Sequence, residues 1–382
     1  MARDRIVSAT EQPEDQPQVD AAGPAIRPTR LADYVGQRDL IERLGIALTA
    51  AKQRGEPMEH VLLHGPPGLG KTTMAHVIAA EMGTRAYVTS GPALTKAGDL
   101  VGTLTKLQPG DVLFIDEIHR LPAAVEEYIY PAMEDFKVDF TVDSGMHARV
   151  ITIRLKPFTL IGATTRAGLL TQPLRSRFGI AHHLAFYGPE ELAAIVVRAA
   201  GVLGMGSLGD DAVRAIADRS RGTPRVALRL LRRARDFSQV RARGRLGAAV
   251  VDEALRLEGV DHLGLDDLDR KYLRAIATVY GCGPVGLEAV AATMGDDAGT
   301  LEDVVEPYLL QIGFLARTRQ GRRLTAAGAA YVGVSIPTGN PETMGRSEGA
   351  GGTLDSAVRQ HEGSAGGVLF EEEAPEAPDR FP

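Results

Sequence analysis

Gly65-Pro66-Pro67-Gly68-Leu69-Gly70-Lys71-Thr72 fits the spacing G-x-x-x-x-G-K-[ST] at every fixed position. Val61-Leu62-Leu63-His64 before it reads as a short buried strand, and Thr73-Met74-Ala75-His76-Val77-Ile78-Ala79-Ala80 after it reads as a helix. A loop between strand and helix turns backbone N–H groups inward beside a helix N-terminus, which is an anion site. Gly68 and Gly70 allow the backbone to approach a phosphate with no Cβ in the way. In such a loop Lys71 reaches the β- and γ-phosphates and the Thr72 hydroxyl ligates Mg²⁺, so the expected ligands are ATP and Mg²⁺.

At 382 residues the chain is long enough for two or three domains. Its only cysteine is Cys282, which excludes an intrachain disulfide and any multi-cysteine metal site and reads as a small packing residue. No secretory segment and no apolar run of membrane-spanning length is seen, so a soluble cytoplasmic protein without membrane contact is expected. The net charge of −6 is uneven: residues 1–25 carry −3 and residues 337–382 carry −6, leaving +3 for residues 26–336. The acidity sits in tails rich in Pro, Gly, Ser and Glu that read as disordered. An acidic whole therefore does not exclude a folded part that binds DNA.

Residues 26–187 alternate short apolar strands with helices, the pattern of a parallel α/β sheet. The strands expected are Val61–His64, Ala86–Thr89, Val112–Ile115 and Phe158–Ala163. Lys137–Val142 and Val150–Leu155 alternate about a turn containing Asp143-Ser144-Gly145 and read as an antiparallel hairpin appended to the sheet, either an edge ornament or a docking arm. Residues 188–260 read as a small helical domain with helices at Glu190–Leu203, Asp211–Ser220, Thr223–Gln239 and Ala248–Leu257. Residues 261–336 give helices at Leu268–Val279, Val285–Met294 and Thr300–Ile312. Two strands follow about a basic turn, which is a winged-helix arrangement.

Val112-Leu113-Phe114-Ile115-Asp116-Glu117 is an apolar strand ending in two carboxylates, placed where open α/β sheets build their sites. Asp116 is suited to hold Mg²⁺ through its water shell, and Glu117 to polarise the attacking water. Thr165, in Thr164-Thr165-Arg166, is the candidate to contact the γ-phosphate side of the nucleotide; alternatively Thr164 or Thr165 simply caps the following helix. Arg177, in Pro173-Leu174-Arg175-Ser176-Arg177-Phe178-Gly179, either pairs on the surface or serves as an arginine finger for a neighbouring subunit, a role worth about 10³–10⁵ in turnover. Arg225, in Gly222-Thr223-Pro224-Arg225, either lies on the surface or reaches the nucleotide from the second domain.

Together these strings resemble the RuvB family, the bacterial Holliday-junction branch-migration motors of the AAA+ class. The resemblance runs from about Ile26 to Ile336. It rests on IRPTRLADYVGQ, HGPPGLGKTT, TSGPALTKAGDL, DVLFIDEIHRL, PAMEDF, PFTLIGATTRAG, PLRSRFGI, RGTPR, GPVGLEAVA and EPYLLQIGFLARTRQGR. The first motor strings are general to AAA+ proteins; GATTRAGLLTQPLRSRFGI and the last string are far more restricted. The resemblance implies a large ATPase domain, a small helical domain and a winged-helix head, forming a homohexameric ring on duplex DNA at Holliday junctions in recombination and repair. It implies that Ile26, Arg27, Gly68, Lys71, Thr72, Thr73, Glu134, Asp135, Phe136, Tyr187 and Arg225 contact the nucleotide, that Arg177 acts in trans, and that Arg317 and Arg322 touch DNA. It also implies that the hairpin at 137–155 docks on the junction-binding partner RuvA, with the resolvase RuvC a further partner.

Arg317, Arg319, Arg322 and Arg323 lie within seven residues on the expected wing, which favours phosphate contact. No aromatic platform accompanies them, so duplex backbone is favoured over single strands. A clamp loader or protein remodeller would share the motor but respond to a protein client rather than DNA. A nucleotide-gated regulator would need base-reading side chains on Thr300–Ile312, but that helix offers Glu302, Asp303 and Glu306, which repel phosphates.

Overall fold

The computed structural model describes residues 26–142 and 149–335. Both tails, the expected Asp143-Ser144-Gly145 turn and Ile336 lie outside them. In chain order the strands are β1 (Val61–His64), β2 (Ala86–Ser90), β3 (Val112–Asp116), β4 (Lys137–Val142), β5 (Arg149–Arg154), β6 (Thr159–Thr164), β7 (Ile180–His183), β8 (Leu315–Thr318) and β9 (Gly321–Leu324).

Five strands form one parallel sheet in the order β2-β3-β6-β1-β7. Val112 to Ile115 of β3 are buried without a break, as a strand covered on both faces requires. Sequence reading did not assign β7. It is an edge strand whose Ile-Ala-His-His is alternately half-covered and exposed, so no apolar run marks it. The hairpin β4–β5 is antiparallel as expected, with Lys137 opposite Arg154 and Val142 opposite Arg149. It is not joined to the main sheet, however, and stands as its own two-stranded sheet. Its base is tied down by the Leu155 N–H to Phe136 carbonyl bond at 2.7 Å and by the buried Val138.

One apolar core lies on the sheet face that carries the Arg38–Arg54 and Lys71–Met82 helices, and it continues into the four-helix unit of Pro189–Val202, Asp210–Asp218, Pro224–Arg241 and Ala248–Leu257. Caps fix two of these helices. The Glu191 carboxylate accepts from Gly188 N–H at 2.9 Å, and Thr223 Oγ1 faces Val226 N–H at 3.4 Å, each ahead of a proline in the first turn. A second core fills the opposite face around Leu113, Ile115, Ile129 and Leu160.

A third core belongs to a winged-helix head, where Tyr272, Ile276, Leu301 and Leu309 are buried. Its helices are Asp267–Thr278, Leu287–Met294 and a continuous helical run over 298–311, with β8 and β9 as the wing and a bridge from Val285 to Arg322 beside them. The run has a π-turn at Leu301–Val305 in its middle, where sequence reading assigned one uninterrupted helix. A short helix at Ala326–Tyr331, also unassigned from sequence, closes the head. Cys282 is buried and free.

Candidate active site

The C-terminal ends of β1, β3 and β6 meet around one cavity. It is lined by Arg27, Gly68, Gly70, Lys71, Thr72, Thr73, Asp116, Glu117, Thr165 and Arg225, with Pro67, Pro224 and Leu228. Ten residues singled out from sequence therefore converge. Gly70, the residue before the Lys71–Met82 helix, has φ of 95°, and a Cβ there would lie 2.6 Å from the Tyr34 hydroxyl. Gly68 has φ of 84° and sits against Arg225, whose N–H bonds its carbonyl at 3.3 Å. Only a loop of glycines lets the small helical unit close down on the phosphate loop in this way.

Lys71 is buried, and its Nζ donates to the carbonyls of Gly65 at 2.8 Å and Pro66 at 2.9 Å. Burial pulls its ammonium down to about 8, against the opposing charges of Asp116 and Glu117. A phosphate beside it restores the charged form. Asp116 and the Thr72 hydroxyl face the same cavity, a hard-oxygen pair of the kind Mg²⁺ takes when phosphate oxygens and water complete its shell. Among the described residues no cluster of three His, Cys, Asp or Glu offers an all-protein metal cage. The residues present therefore fit a cation held jointly with a nucleotide.

Glu117 has φ of 46°, so its side chain leaves β3 at a fixed angle. Its Oε2 accepts from the Thr165 hydroxyl at 3.2 Å and lies 3.2 Å from His119 Nδ1. His119 Nδ1 is also 2.8 Å from Thr164 Oγ1, and burial lowers the pKa of its ring. Thr165 thus meets Glu117, not the next helix: the cap of Gln172–Arg175 comes from Thr171. His119 was not singled out from sequence, because a histidine two residues past an acidic pair carries no signal until the strand ends are placed together.

Ile26 and Tyr187 lie beside the cavity rather than on its wall. Ile26 is buried, and its carbonyl faces Arg198 at 3.5 Å. Tyr187 is buried against the loop, its hydroxyl donating to the Leu69 carbonyl at 3.2 Å and meeting Tyr34 at 3.2 Å.

Arg177, Glu134, Asp135 and Phe136 do not line this cavity, and of the last three only Glu134 pairs with Arg177. Arg177 Nη2 pairs with Glu134 at 3.1 Å, Nη1 donates to the Pro173 carbonyl at 2.6 Å, and the guanidinium carbon lies 4.5 Å from the centre of the Tyr130 ring. Asp135 pairs with Lys137 at 2.8 Å, and Phe136 packs edge-on to Phe158.

In the head, Arg317 and Arg322 are opposite residues on β8 and β9, and both reach the buried Glu306. Arg322 Nε donates to it at 2.8 Å and Arg317 Nε at 2.8 Å, and the Tyr272 hydroxyl completes the group. Burial works against the Glu306 carboxylate, but Arg322, Tyr272 and Arg317 together hold its pKa below the ordinary range. The Arg322 side chain is 19% exposed and Arg317 43%. Arg319 and Arg323 are exposed. Of the three acids that read from sequence as phosphate-repelling, Glu306 and Glu302 are therefore partners of the wing arginines, while Asp303 pairs with Arg166.

Residues 26–184 match the family described as Holliday junction DNA helicase RuvB P-loop domain, residues 187–261 the RuvB AAA lid domain, and residues 262–333 the RuvB C-terminal winged helix domain. The chain is 56% identical over 310 residues to the Holliday junction branch migration complex subunit RuvB of Desulfosudis oleivorans, covering 81% of this chain and 90% of that one. The solved Thermotoga maritima RuvB Holliday junction branch migration motor is 49% identical, with a TM-score of 0.74 over 82% of this chain and all (100%) of that chain. A mutant of the Thermotoga maritima protein gives 50% identity and a TM-score of 0.75 over 82% of this chain and 99% of that chain.

Proposed function

From the premise that the chain belongs to the RuvB family of ATP-driven Holliday-junction branch-migration motors, we propose that its nucleotide site is shared between subunits of a hexameric ring. The observation that carries this reading is the separation of two groups. Ten residues converge on the phosphate loop, while Arg177 is held by Tyr130, Glu134 and Pro173 away from that cavity. A guanidinium so oriented serves a γ-phosphate on the next subunit. Glu134, Asp135 and Phe136 travel with it and contact the neighbour's nucleotide.

Within one subunit the phosphate-loop N–H groups and Lys71 hold the β- and γ-phosphates. Thr72 and, through water, Asp116 would hold Mg²⁺, which when bound would supply neutralisation of charge on the phosphate oxygens. Glu117 takes the proton of the attacking water, with Thr165 and His119 fixing the carboxylate that receives it. Arg177 from the neighbour stabilises charge in the transition state. Arg225, on the Pro224–Arg241 helix, carries nucleotide state into the angle between the 26–187 and 188–260 domains.

The 261–336 head contacts duplex backbone through the wing, with Arg317 and Arg322 as the assigned residues, and the ring draws the duplex past a junction held by RuvA. RuvC acts on the same assembly. The hairpin is the arm for RuvA; its Ile151 is 50% exposed, an apolar residue available to a partner. Among the described residues no helix is long and apolar enough to cross a membrane, and a cytoplasmic site of action suits a DNA motor. The test is migration of a synthetic four-way junction with ATP and Mg²⁺. Product should require both and rise with the junction-binding partner; migration without hydrolysable ATP would refute the reading.

A further inference from the structure

Arg166 immediately follows Thr165, and its own N–H donates to Thr164 Oγ1 at 2.9 Å. Its side chain leaves the ATPase domain altogether. Nη2 reaches Asp303 at 2.8 Å and Glu302 at 3.0 Å, and Nε reaches Asp303 at 3.3 Å. Both acids lie in the π-turn of the head, an element that recurs at functional positions. The other oxygen of Glu302 faces Arg317 at 3.9 Å and Arg322 at 3.7 Å. One carboxylate thus stands between an arginine of the motor and the two arginines of the wing.

The head is fixed to the small helical unit in a different manner. Arg221 is buried with φ of 53°. Its Nη2 pairs with Asp266 at 2.8 Å and with the fully buried Asp269, its Nε donates to the Gly264 carbonyl at 2.7 Å, and it lies over the Tyr308 ring. Breaking a buried pair strands a charge, so this joint persists. The Arg166 contact is only half-buried, with side chains 38%, 32% and 45% accessible, and a pair so open to solvent is easily exchanged for water. When the small unit turns, the head turns with it, and the bond that must yield is the one at Arg166.

We propose that Arg166 is a positioning residue that couples the head to hydrolysis. Through Arg166, the position of a DNA-loaded head sets where Thr165 stands, and Thr165 holds the oxygen of Glu117 that takes the proton. Engagement keeps the Thr165–Glu117 geometry; release lets the strand end shift. The inference rests on the reading of Glu117 as the base.

The experiment uses the full chain carrying Asp303→Arg, Arg166→Asp, or both, with ATP turnover measured alone and with saturating duplex DNA. Asp303→Arg should keep the KM for ATP within about twofold while lowering DNA-stimulated turnover at least about threefold, the scale of a broken solvent-accessible pair. The charge swap should restore most of that turnover, because coupling energy belongs to the pair. Circular dichroism melts and DNA titrations establish that each variant is folded and DNA-bound. Undiminished DNA-stimulated turnover in Asp303→Arg, or a loss that the swap leaves in place, overturns the proposal. Glu117→Gln should abolish turnover with and without DNA. If it does not, the assignment of the base has failed, and the coupling scheme with it.

Discussion

The guanidinium of Arg177 stacks over the ring of Tyr130, 4.5 Å from its centre, on a helix that also supplies its ion-pair partner Glu134. The proposed finger would thereby be oriented before any neighbour arrives. Tyr130→Leu should lower kcat about fivefold with KM for ATP little changed, as expected when one partly covered cation–π interaction is removed. Tyr130→Phe keeps the ring and should stay near the parent. Steady-state ATP hydrolysis checks both; equal losses would move the role from the ring to the hydroxyl that bonds Glu126.

Thr165→Val removes the hydroxyl that donates to Glu117 while preserving shape. Hydrogen bonds to charged groups contribute about 1.5–3 kcal/mol, so hydrolysis should fall about tenfold or more. Nucleotide affinity, read by fluorescence of a labelled ADP, should remain within a few-fold. Thr165→Ser should recover most of the rate. A binding defect equal to the rate defect would place Thr165 on the nucleotide rather than on the base.

Lys71 gives a pH dependence with a defined sign. Burial puts its free-state ammonium at about 8, and a bound triphosphate pulls that value upward. Above about 8, binding must therefore take up a proton, and affinity falls as pH rises toward 10. Calorimetry in two buffers of different ionisation enthalpy should report uptake near pH 8.5 and almost none at pH 7. Pronounced uptake at pH 7 would contradict the assignment.

The wing arginines divide into two kinds. Arg322→Ala removes one of three partners from the buried Glu306 and should destabilise the head by about 2 kcal/mol in urea unfolding. Arg319→Ala with Arg323→Ala touches exposed residues only and should leave stability alone. If those two bind phosphates, the salt dependence of DNA binding should flatten by roughly 0.9 for each phosphate no longer neutralised. An unchanged slope would show that neither of these two neutralises a phosphate.

Much of this was legible in the chain because local pattern and chemistry coincide. Gly65–Thr72 announces a strand, a loop and a helix together, and Val112–Glu117 announces a buried strand with acids at its active end. The hairpin strands were readable from alternation, although their separation from the main sheet was not, since pairing partners are a tertiary matter. β7 escaped because an edge strand carrying His182 and His183 has no apolar run. The pairing of Arg166 with Asp303, and of Arg317 and Arg322 with Glu306, was invisible because nothing local links an arginine to an acid brought in by another element.

The central claim is that the site is completed by a neighbouring subunit, and mixing two inactive variants tests it most directly. Lys71→Ala lacks the phosphate-loop lysine but keeps Arg177; Arg177→Ala keeps the loop but lacks the finger. Each alone should hydrolyse ATP at a few per cent of the parent or less, given the roughly 10³-fold scale of such a finger. Mixed in equal amounts, they form some interfaces with an intact loop on one side and an intact Arg177 on the other. A shared site predicts ATP turnover in the mixture well above either variant alone; turnover no greater than the mean of the two would contradict it.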